Sequence, residues 1–455
     1  MNLEETIKPE ILFLILGLVF GLMFLLVTPP FLVGDEGTHF FKAYDISEGH
    51  LFPNKINNYF PKSIVKCMDE FTYLQIYPDD RVNINDAINL LSLHLSPDNK
   101  ISIDISHVVI YPPIPYLASA SVMVICKFFN LSPLIMLYFG RLINLLIWII
   151  LVYFAIRITP IHKWVFLLLA LMPRTLFQAA SLSVDSLSFG LSFLVIALFL
   201  NYSVNENKKI HLKEVFVLVL VILALILSKQ GYALLILLFF MIPISKFKNN
   251  KLRVITFVLI SLPSIIIAGI WDMLFKKLYI PHAMDSISIP GQISFILADP
   301  LNFLFVLLNT LILQSKFYLR TFISGWFESS LLDITIIVYI AMLFFVSFID
   351  KSKFKLNSKQ KSISLLIFSI IFILAFLFEY ISYTAVGKSY ILGVQGRYFI
   401  PIAPLFFLLF YNSKITEIIN NKINLNPNKF YLFNIAFIIL ILSISISLLF
   451  SRFYI

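Results

Sequence analysis

Charge is scarce in this chain. Asp, Glu, Lys and Arg make up 13% of its 455 residues, against roughly a quarter in a soluble domain whose surface must face water. A soluble enzyme is thereby excluded. Cysteine is nearly absent: Cys67 lies in a polar segment and Cys126 in an apolar one, with no CxxC spacing, so the thiols imply neither a disulfide framework nor a metal or redox motif. No period of about 20 to 50 residues recurs, which excludes a repeat array.

What fills the chain is hydrocarbon. The hydrophobic set supplies 59% of the residues, 47 of them Phe, and mean hydropathy is +0.91. Long apolar runs alternate with short polar clusters, so lipid is the solvent for most of this surface. The reading is an all-α integral membrane protein, a polytopic helical bundle, in contact with membrane lipids. The formal net charge of +10 does not point to nucleic acid, because the lysines sit in short loops between apolar runs and form no basic face.

The first run, Ile11 to Val27, follows an acidic stretch (Glu4, Glu5, Glu10) and precedes Thr28-Pro29-Pro30 without a small-residue cleavage site, so it reads as a retained helix. A polar segment over 29–110 comes next. Further apolar runs begin near Leu134, Trp164, Ser186, Glu214, Tyr232, Val254, Ile334, Ser362, Tyr398 and Phe430. Lysine is densest around 208–213, 246–253, 351–361 and 414–429, which places those loops, with Arg157 and Lys163, in the cytoplasm. Parity then puts the amino terminus inside and the 29–110 segment outside. It also makes Ile114 to Phe129 an interfacial helix and Leu301 to Leu313 non-spanning. About eleven spans remain, in one membrane domain over 1–455 with no separate soluble domain.

This topology sends the conspicuous polar residues to one face. They are Gly34-Asp35-Glu36-Gly37-Thr38-His39, Ser181 to Ser186 with Asp185, Ser228-Lys229-Gln230-Gly231-Tyr232, and Gly387-Lys388-Ser389 through Gln395-Gly396-Arg397-Tyr398. Arg141 and Arg174 lie inside apolar runs near their outer ends, where a deep charge costs about 2.5–3.5 kcal/mol on insertion scales. One such cation can snorkel to the headgroups. Five of them, Arg141, Arg174, Lys229, Lys388 and Arg397, with acids at Asp35, Glu36 and Asp185, read instead as a site.

Carboxylates among cations at a membrane surface suit glycosyl transfer from a lipid phosphate. A carboxylate takes the proton of an acceptor hydroxyl or coordinates a divalent ion such as Mg or Mn, while Arg and Lys hold the phosphate leaving group. Asp35 is the chosen base, since a rigid helix precedes it. Glu36 ligates a metal, assists catalysis or orders the loop. Arg397, Lys229, Lys388, Arg141 and Arg174 are the phosphate-binding candidates. Asp185 and His39 are candidates for acceptor or metal binding, although no zinc pattern accompanies His39. Ser183 or Asp185 equally suits a helix cap. Glu379 and Asp272 read as interfacial acids. Pro401 breaks the backbone pairing of an apolar helix, which fits only against protein or a wet cavity, so Arg397, with Gln395 and Tyr398, is placed facing that cavity.

Asp35-Glu36-Gly37-Thr38-His39-Phe40, Ala43-Tyr44, Ser47-Glu48-Gly49, Met172-Pro173 through Gln178-Ala179-Ala180-Ser181 with Asp185, Gly325-Trp326, and Gly393-Val394-Gln395-Gly396-Arg397-Tyr398-Phe399 with Pro401 run over most of the chain. In that order they resemble a bacterial family of predicted membrane proteins, domain of unknown function 2142. That family is in turn similar to polyprenyl-phosphate-dependent glycosyltransferases of the GT-C fold. The resemblance implies an acidic catalytic residue in the first external loop, a second acid in the next, and interfacial helices within the first loop; Asp35 and Asp185 fall at those places. Tyr111-Pro112-Pro113 resembles a Pro-Pro element of the same loop and adds Tyr111 to the pocket. The chain departs from the oligosaccharyltransferase members in lacking a sizeable soluble carboxy-terminal domain.

The expectation is a glycosyltransferase of a bacterial cell membrane, moving a sugar from a polyprenyl-phosphate donor to an envelope glycan or lipid on the outer side. The rival classes are a transporter or flippase of lipid-linked sugars, which commonly shows inverted repeats and midplane sites, and a non-catalytic partner of an envelope polysaccharide synthase.

Overall fold

The computed structural model describes residues 7–53, 57–77, 79–278, 287–324, 330–350, 352–412, 418 and 427–455. Gly325 and Trp326 lie outside the described residues. Pro9 presets φ for the first turn of α1 (Pro9–Val27), and the chain leaves that helix at Thr28, extended (φ −70°, ψ 117°) as residues ahead of proline must be.

The polar segment forms α2 (Glu36–Ser47), β1 (Asn57–Pro61), α3 (Lys62–Ile76), α4 (Ile84–Leu91), β2 (Lys100–Asp104) and α5 (Ser106–Val109). The strands pair antiparallel, Tyr59 opposite Ser102, so the all-α expectation needs correcting by one small sheet. Its signal was the alternation Lys100-Ile101-Ser102-Ile103-Asp104, with the isoleucines on the more buried face. A 3-10 turn (Ile114–Tyr116) then enters α6 (Leu117–Phe128). Its 12 residues rise about 18 Å, too little to cross roughly 30 Å of hydrocarbon.

The remaining elements are α7 (Pro133–Ile158), α8 (Lys163–Ala170), α9 (Pro173–Ala179), α10 (Val184–Val204), α11 (Leu212–Ser228), a 3-10 helix (Gln230–Met241), and α12 (Asn250–Phe275). They continue with α13 (Ile289–Ala298), α14 (Pro300–Leu313), α15 (Ser315–Ile323), α16 (Ser330–Ile349), α17 (Ser358–Ser382), a 3-10 helix (Gly396–Ile402), α18 (Ala403–Phe407) and α19 (Pro427–Tyr454). Among the described residues six helices, α1, α7, α10, α12, α17 and α19, are long and apolar enough to cross a membrane. The pair α13–α14, bent by 107°, makes a seventh if it counts as one span.

The other five expected runs are shorter or broken. Pro173 separates α8 from α9, α11 has 17 residues, the run from Tyr232 winds as a 12-residue 3-10 helix, and Pro401 and Pro404 interrupt the run from Tyr398. In α16 the apolar stretch is Asp333–Ile349. The stretch from Leu301 to Leu313, expected not to span, forms the second arm of the bent pair.

Direction narrows the count. Tyr431 at the start of α19 donates its hydroxyl to the carbonyl of Ile7, 2.5 Å away, just ahead of α1. At the other end of α19, Arg452 donates to the carbonyl of Asp80 (2.8 Å) and the Phe453 carbonyl accepts from Val82 N (2.8 Å), both in the polar segment that follows α1. The first and last helices therefore run parallel, and a chain whose first and last spans are parallel crosses an odd number of times.

The described lysine-bearing loops gather where α1 begins, whereas 413–417 and 419–426 lie outside the described residues. Lys163 pairs with Glu10 (3.3 Å), the Asp350 carboxylate accepts from Trp164 N (3.1 Å), Lys246 donates to Asn205 O (2.6 Å), and Gln360 donates to Ser203 O (3.2 Å). The end of α1 and the start of α10 lie at the opposite end. Helix α10 is the most enclosed span, 83% of it buried against 28% for α12 and 22% for α17, so it carries its first residues into protein rather than lipid.

Candidate functional site

Asp35 is the residue immediately before α2, in the left-handed conformation (φ 65°), which Asp tolerates better than most side chains. Its carbonyl accepts from His39 N (3.0 Å) and Thr38 Oγ1 (2.8 Å), while its carboxylate caps nothing. That side chain is 60% exposed and lies 3.9 Å from Arg397 Nη2. The same nitrogen also lies beside Gly34, where a Cβ would make only an ordinary contact at 4.0 Å.

Arg397 sits on the 3-10 helix that contains Pro401, and it is buried. Its Nη1 lies 3.5 Å from Asp185 Oδ2 and donates to Gln178 Oε1 (3.3 Å). Asp185 also pairs with Lys229 Nζ at 2.6 Å. The capping question at α10 is answered by Ser183, whose hydroxyl accepts from Asp185 N (3.2 Å) and from Gln178 Nε2 (3.1 Å), leaving the Asp185 carboxylate for the cations. Lys229 lies in extended backbone between α11 and the following 3-10 helix, its Nζ 5.0 Å from the ring centre of Tyr398. Tyr232 donates its hydroxyl to the Tyr398 carbonyl (2.9 Å), tying that turn to the same wall. Asp35, Arg397, Asp185 and Lys229, from four distant segments, thus form one chain of charges.

Arg397 is placed by its neighbour. Gly396 N donates to Thr321 Oγ1 (2.8 Å), and a Cβ on Gly396 would stand 2.1 Å from Tyr318 O and 2.5 Å from Phe322 N on α15. Gly396→Ala should therefore force the two segments apart. A backbone clash of this kind belongs with overpacking, about 1–3 kcal/mol or more. The expected result is a lower thermal midpoint of the purified protein in detergent, and an unchanged midpoint would show that the packing around Gly396 yields freely.

Glu36 and Arg141 belong elsewhere. Arg141 Nε and Nη2 donate to the two oxygens of Glu36 (2.8 and 2.6 Å), and its remaining donors reach the carbonyls of Leu25 (3.3 Å), Thr28 (2.8 Å) and Pro29 (2.9 Å) at the end of α1. Leu182 N donates to Glu36 Oε1 at 2.9 Å. Both side chains are fully buried and saturated, so this pair clamps α1, α2, α7 and the entry to α10 together. Expected as a catalytic acid and a phosphate ligand, the two satisfy each other instead. Lys388 is also displaced from the expected cluster: its Nζ lies 4.5 Å from the Tyr390 ring centre and its carbonyl accepts from Tyr380 (2.9 Å). Among the described residues no ion pair joins it to Asp35 or Asp185.

His39 lies one helical turn after Asp35, on the same face, as anticipated for a helical continuation. Its Nδ1 is 2.9 Å from the Tyr116 hydroxyl, and the Tyr111 ring stands 6.0 Å away, edge on. Burial pushes its pKa down from 6.5 to about 4, against the opposing pull of Asp35 and Asp185. Below pH 6.5 the unfolded chain takes up a proton there that the folded chain refuses until about pH 4. His39 therefore lowers stability progressively as pH falls through that window, by at most about 3 kcal/mol. A His39→Gln variant should lose this part of the acid sensitivity between pH 6.5 and 4. Superimposable stability profiles for wild type and variant would rule the effect out.

Arg174, on α9, is fully buried with its guanidinium 5.4 Å from the Phe177 ring centre, within electrostatic reach of Arg397 and Asp185. Gln395 has its side-chain oxygen buried beside the same turn, without a hydrogen-bond partner among the described residues. Asp272 accepts from Gln230 Nε2 (2.8 Å), and Glu379 packs against Gly393. A divalent cation does not fit this set. Its two carboxylates are interleaved with Arg397 and Lys229, and no three His, Cys, Asp or Glu side chains among the described residues gather to hold a metal.

Gln178, Tyr116 and Tyr232 were not singled out as site residues. Gln178 did carry a signal, as an amide in an apolar run four residues after Arg174, which one helical turn brings to the same face.

The sequence matches a family described as predicted membrane protein, DUF2142, over residues 18–406. The chain belongs to this family. The DUF2142 match runs from within α1 through the broken helix after Arg397, and it contains every residue of the charge chain. No curated protein and no solved structure matches the chain. DUF2142 membership agrees with the multi-pass helical architecture, and the chemistry has to be argued from the site.

Proposed function

We propose that this protein is a GT-C-like glycosyltransferase of a bacterial cell membrane, transferring a sugar from a polyprenyl-phosphate donor to an envelope glycan or lipid. The observation that carries the reading is the exposed Asp35 carboxylate held 3.9 Å from the buried guanidinium of Arg397, itself 3.5 Å from Asp185. An accessible base beside a buried cation is what displacement of a phosphate by a hydroxyl requires. Asp35 accepts the proton of the acceptor hydroxyl as its oxygen bonds to the anomeric carbon. The bond from that carbon to the phosphate oxygen breaks, and polyprenyl phosphate leaves towards Arg397 and Lys229. Asp185 orients both cations through its two ion pairs and borders the acceptor side.

The finer topology belongs to this reading: eleven spans, the amino terminus and lysine loops in the cytoplasm, and the site extracytoplasmic. It is supported by the parallel direction of α1 and α19 and by the collection of lysine loops at the end opposite Asp35.

The test is direct. Purified protein in nanodiscs, given a polyprenyl-phosphate sugar and envelope extract, should release free polyprenyl phosphate and label an acceptor, as read by mass spectrometry. Movement of intact donor across the bilayer without release would replace transfer by transport.

A further inference from the structure

We propose that Arg174, with the Nε edge of Arg397, forms a buried subsite for a tetrahedral oxyanion, the phosphoryl group of a phosphate ester. Nε, Nη1 and Nη2 of Arg174 all lack a hydrogen-bond partner among the described residues, although the side chain is wholly buried. Guanidinium does not lose its proton in proteins, and buried donors are nearly always satisfied. The Phe177 ring covers a face of Arg174 and leaves its in-plane N–H groups unanswered.

Arg397 Nε is orphaned in the same way, while its two terminal nitrogens face Gln178, Asp185 and Asp35. Two guanidinium groups within mutual electrostatic reach present six unused N–H donors on four nitrogens; Asp185, the carboxylate within reach of both, answers none of these, and an anion seated on them would offset the repulsion between the two cations. Around them stand Arg174, Arg397 and Lys229 with the carboxylates of Asp35 and Asp185, and Glu379 lies within electrostatic reach of Arg397 and Lys229.

Assigning that anion to the phosphoryl group of the donor rests on the proposed transfer reaction; the subsite itself rests only on the orphaned donors. Wild type, R174M and R174Q in phosphatidylcholine nanodiscs are to be compared by thermal unfolding with farnesyl phosphate, farnesol and inorganic phosphate. Farnesyl phosphate should raise the wild-type midpoint and bind R174M and R174Q at least tenfold more weakly, while farnesol moves none of them. Without ligand R174M should unfold at a higher temperature than wild type, because an unpaired buried charge has been replaced by an apolar chain of similar length.

Stabilisation by inorganic phosphate and not by farnesyl phosphate would keep the subsite and assign it to the free ion. Equal farnesyl phosphate affinity in wild type and R174Q, or in R174M, would overturn it, and R174Q carries the comparison if R174M does not fold. An Asp35→Asn variant should still bind farnesyl phosphate; full transfer activity in that variant would remove the proposed base and leave this subsite standing.

Discussion

Asp35→Asn should lower sugar transfer by about 10²–10⁴-fold, the usual contribution of a positioned general base, with little change in stability. Asn is the informative replacement because it keeps the volume and accepts the left-handed backbone at this position (φ 65°), which Ala would strain. The carboxylate is 60% exposed and touches its cation only at 3.9 Å, so its removal leaves little unpaired charge behind. Asp185→Asn makes the contrast. That carboxylate is buried against Lys229 and Arg397, so its loss should reduce folded yield as well as activity. Initial rates of polyprenyl phosphate release, with circular dichroism and size exclusion as controls, separate the two. An Asp35→Asn protein that transfers at the wild-type rate takes Asp35 out of the chemistry.

Hydropathy exposed the helical, multi-pass membrane character to sequence reasoning. Six of the eleven apolar runs form helices long and apolar enough to cross a membrane, where a segment in lipid must close its own backbone hydrogen bonds, and the other five are shorter or broken. What composition did not reveal was which runs continue unbroken. Pro173 and Pro401 are visible in the sequence, but whether a proline kinks a helix or splits it depends on what packs against the break. The strand pair was missed because the alternation at Lys100–Asp104 spans only five residues and its partner strand lies about forty residues earlier.

The gathering of Asp35, Asp185, Lys229 and Arg397 was expected from a topology that sends four polar segments to one membrane face, and those four do lie together. The same topology drew in Lys388, and the cost of charge in an apolar run drew in Arg141, since it reports that a cation needs a partner without saying which one. Arg141 found Glu36 and three carbonyls, and Lys388 an aromatic ring. One-dimensional pattern separates Asp35 from Glu36 only through backbone geometry: a left-handed residue turns its side chain out of the helix that the next residue begins.

Glu36→Gln and Arg141→Met should each destabilise the fold by about 3–5 kcal/mol, the range for leaving one member of a buried ion pair without its partner. The pair is bidentate and wholly shielded from water, and Arg141 also closes three carbonyls at the end of α1 while Glu36 receives Leu182 N. The double replacement should recover only part of the loss, because those backbone groups stay unanswered even when both charges are gone. Denaturant titration of the four proteins in one detergent gives the coupling between the two residues. Melting should be lost in step with activity for both single variants. A Glu36→Gln protein that keeps wild-type stability while failing to transfer sugar would return Glu36 to the reaction and make Arg141 its positioning partner.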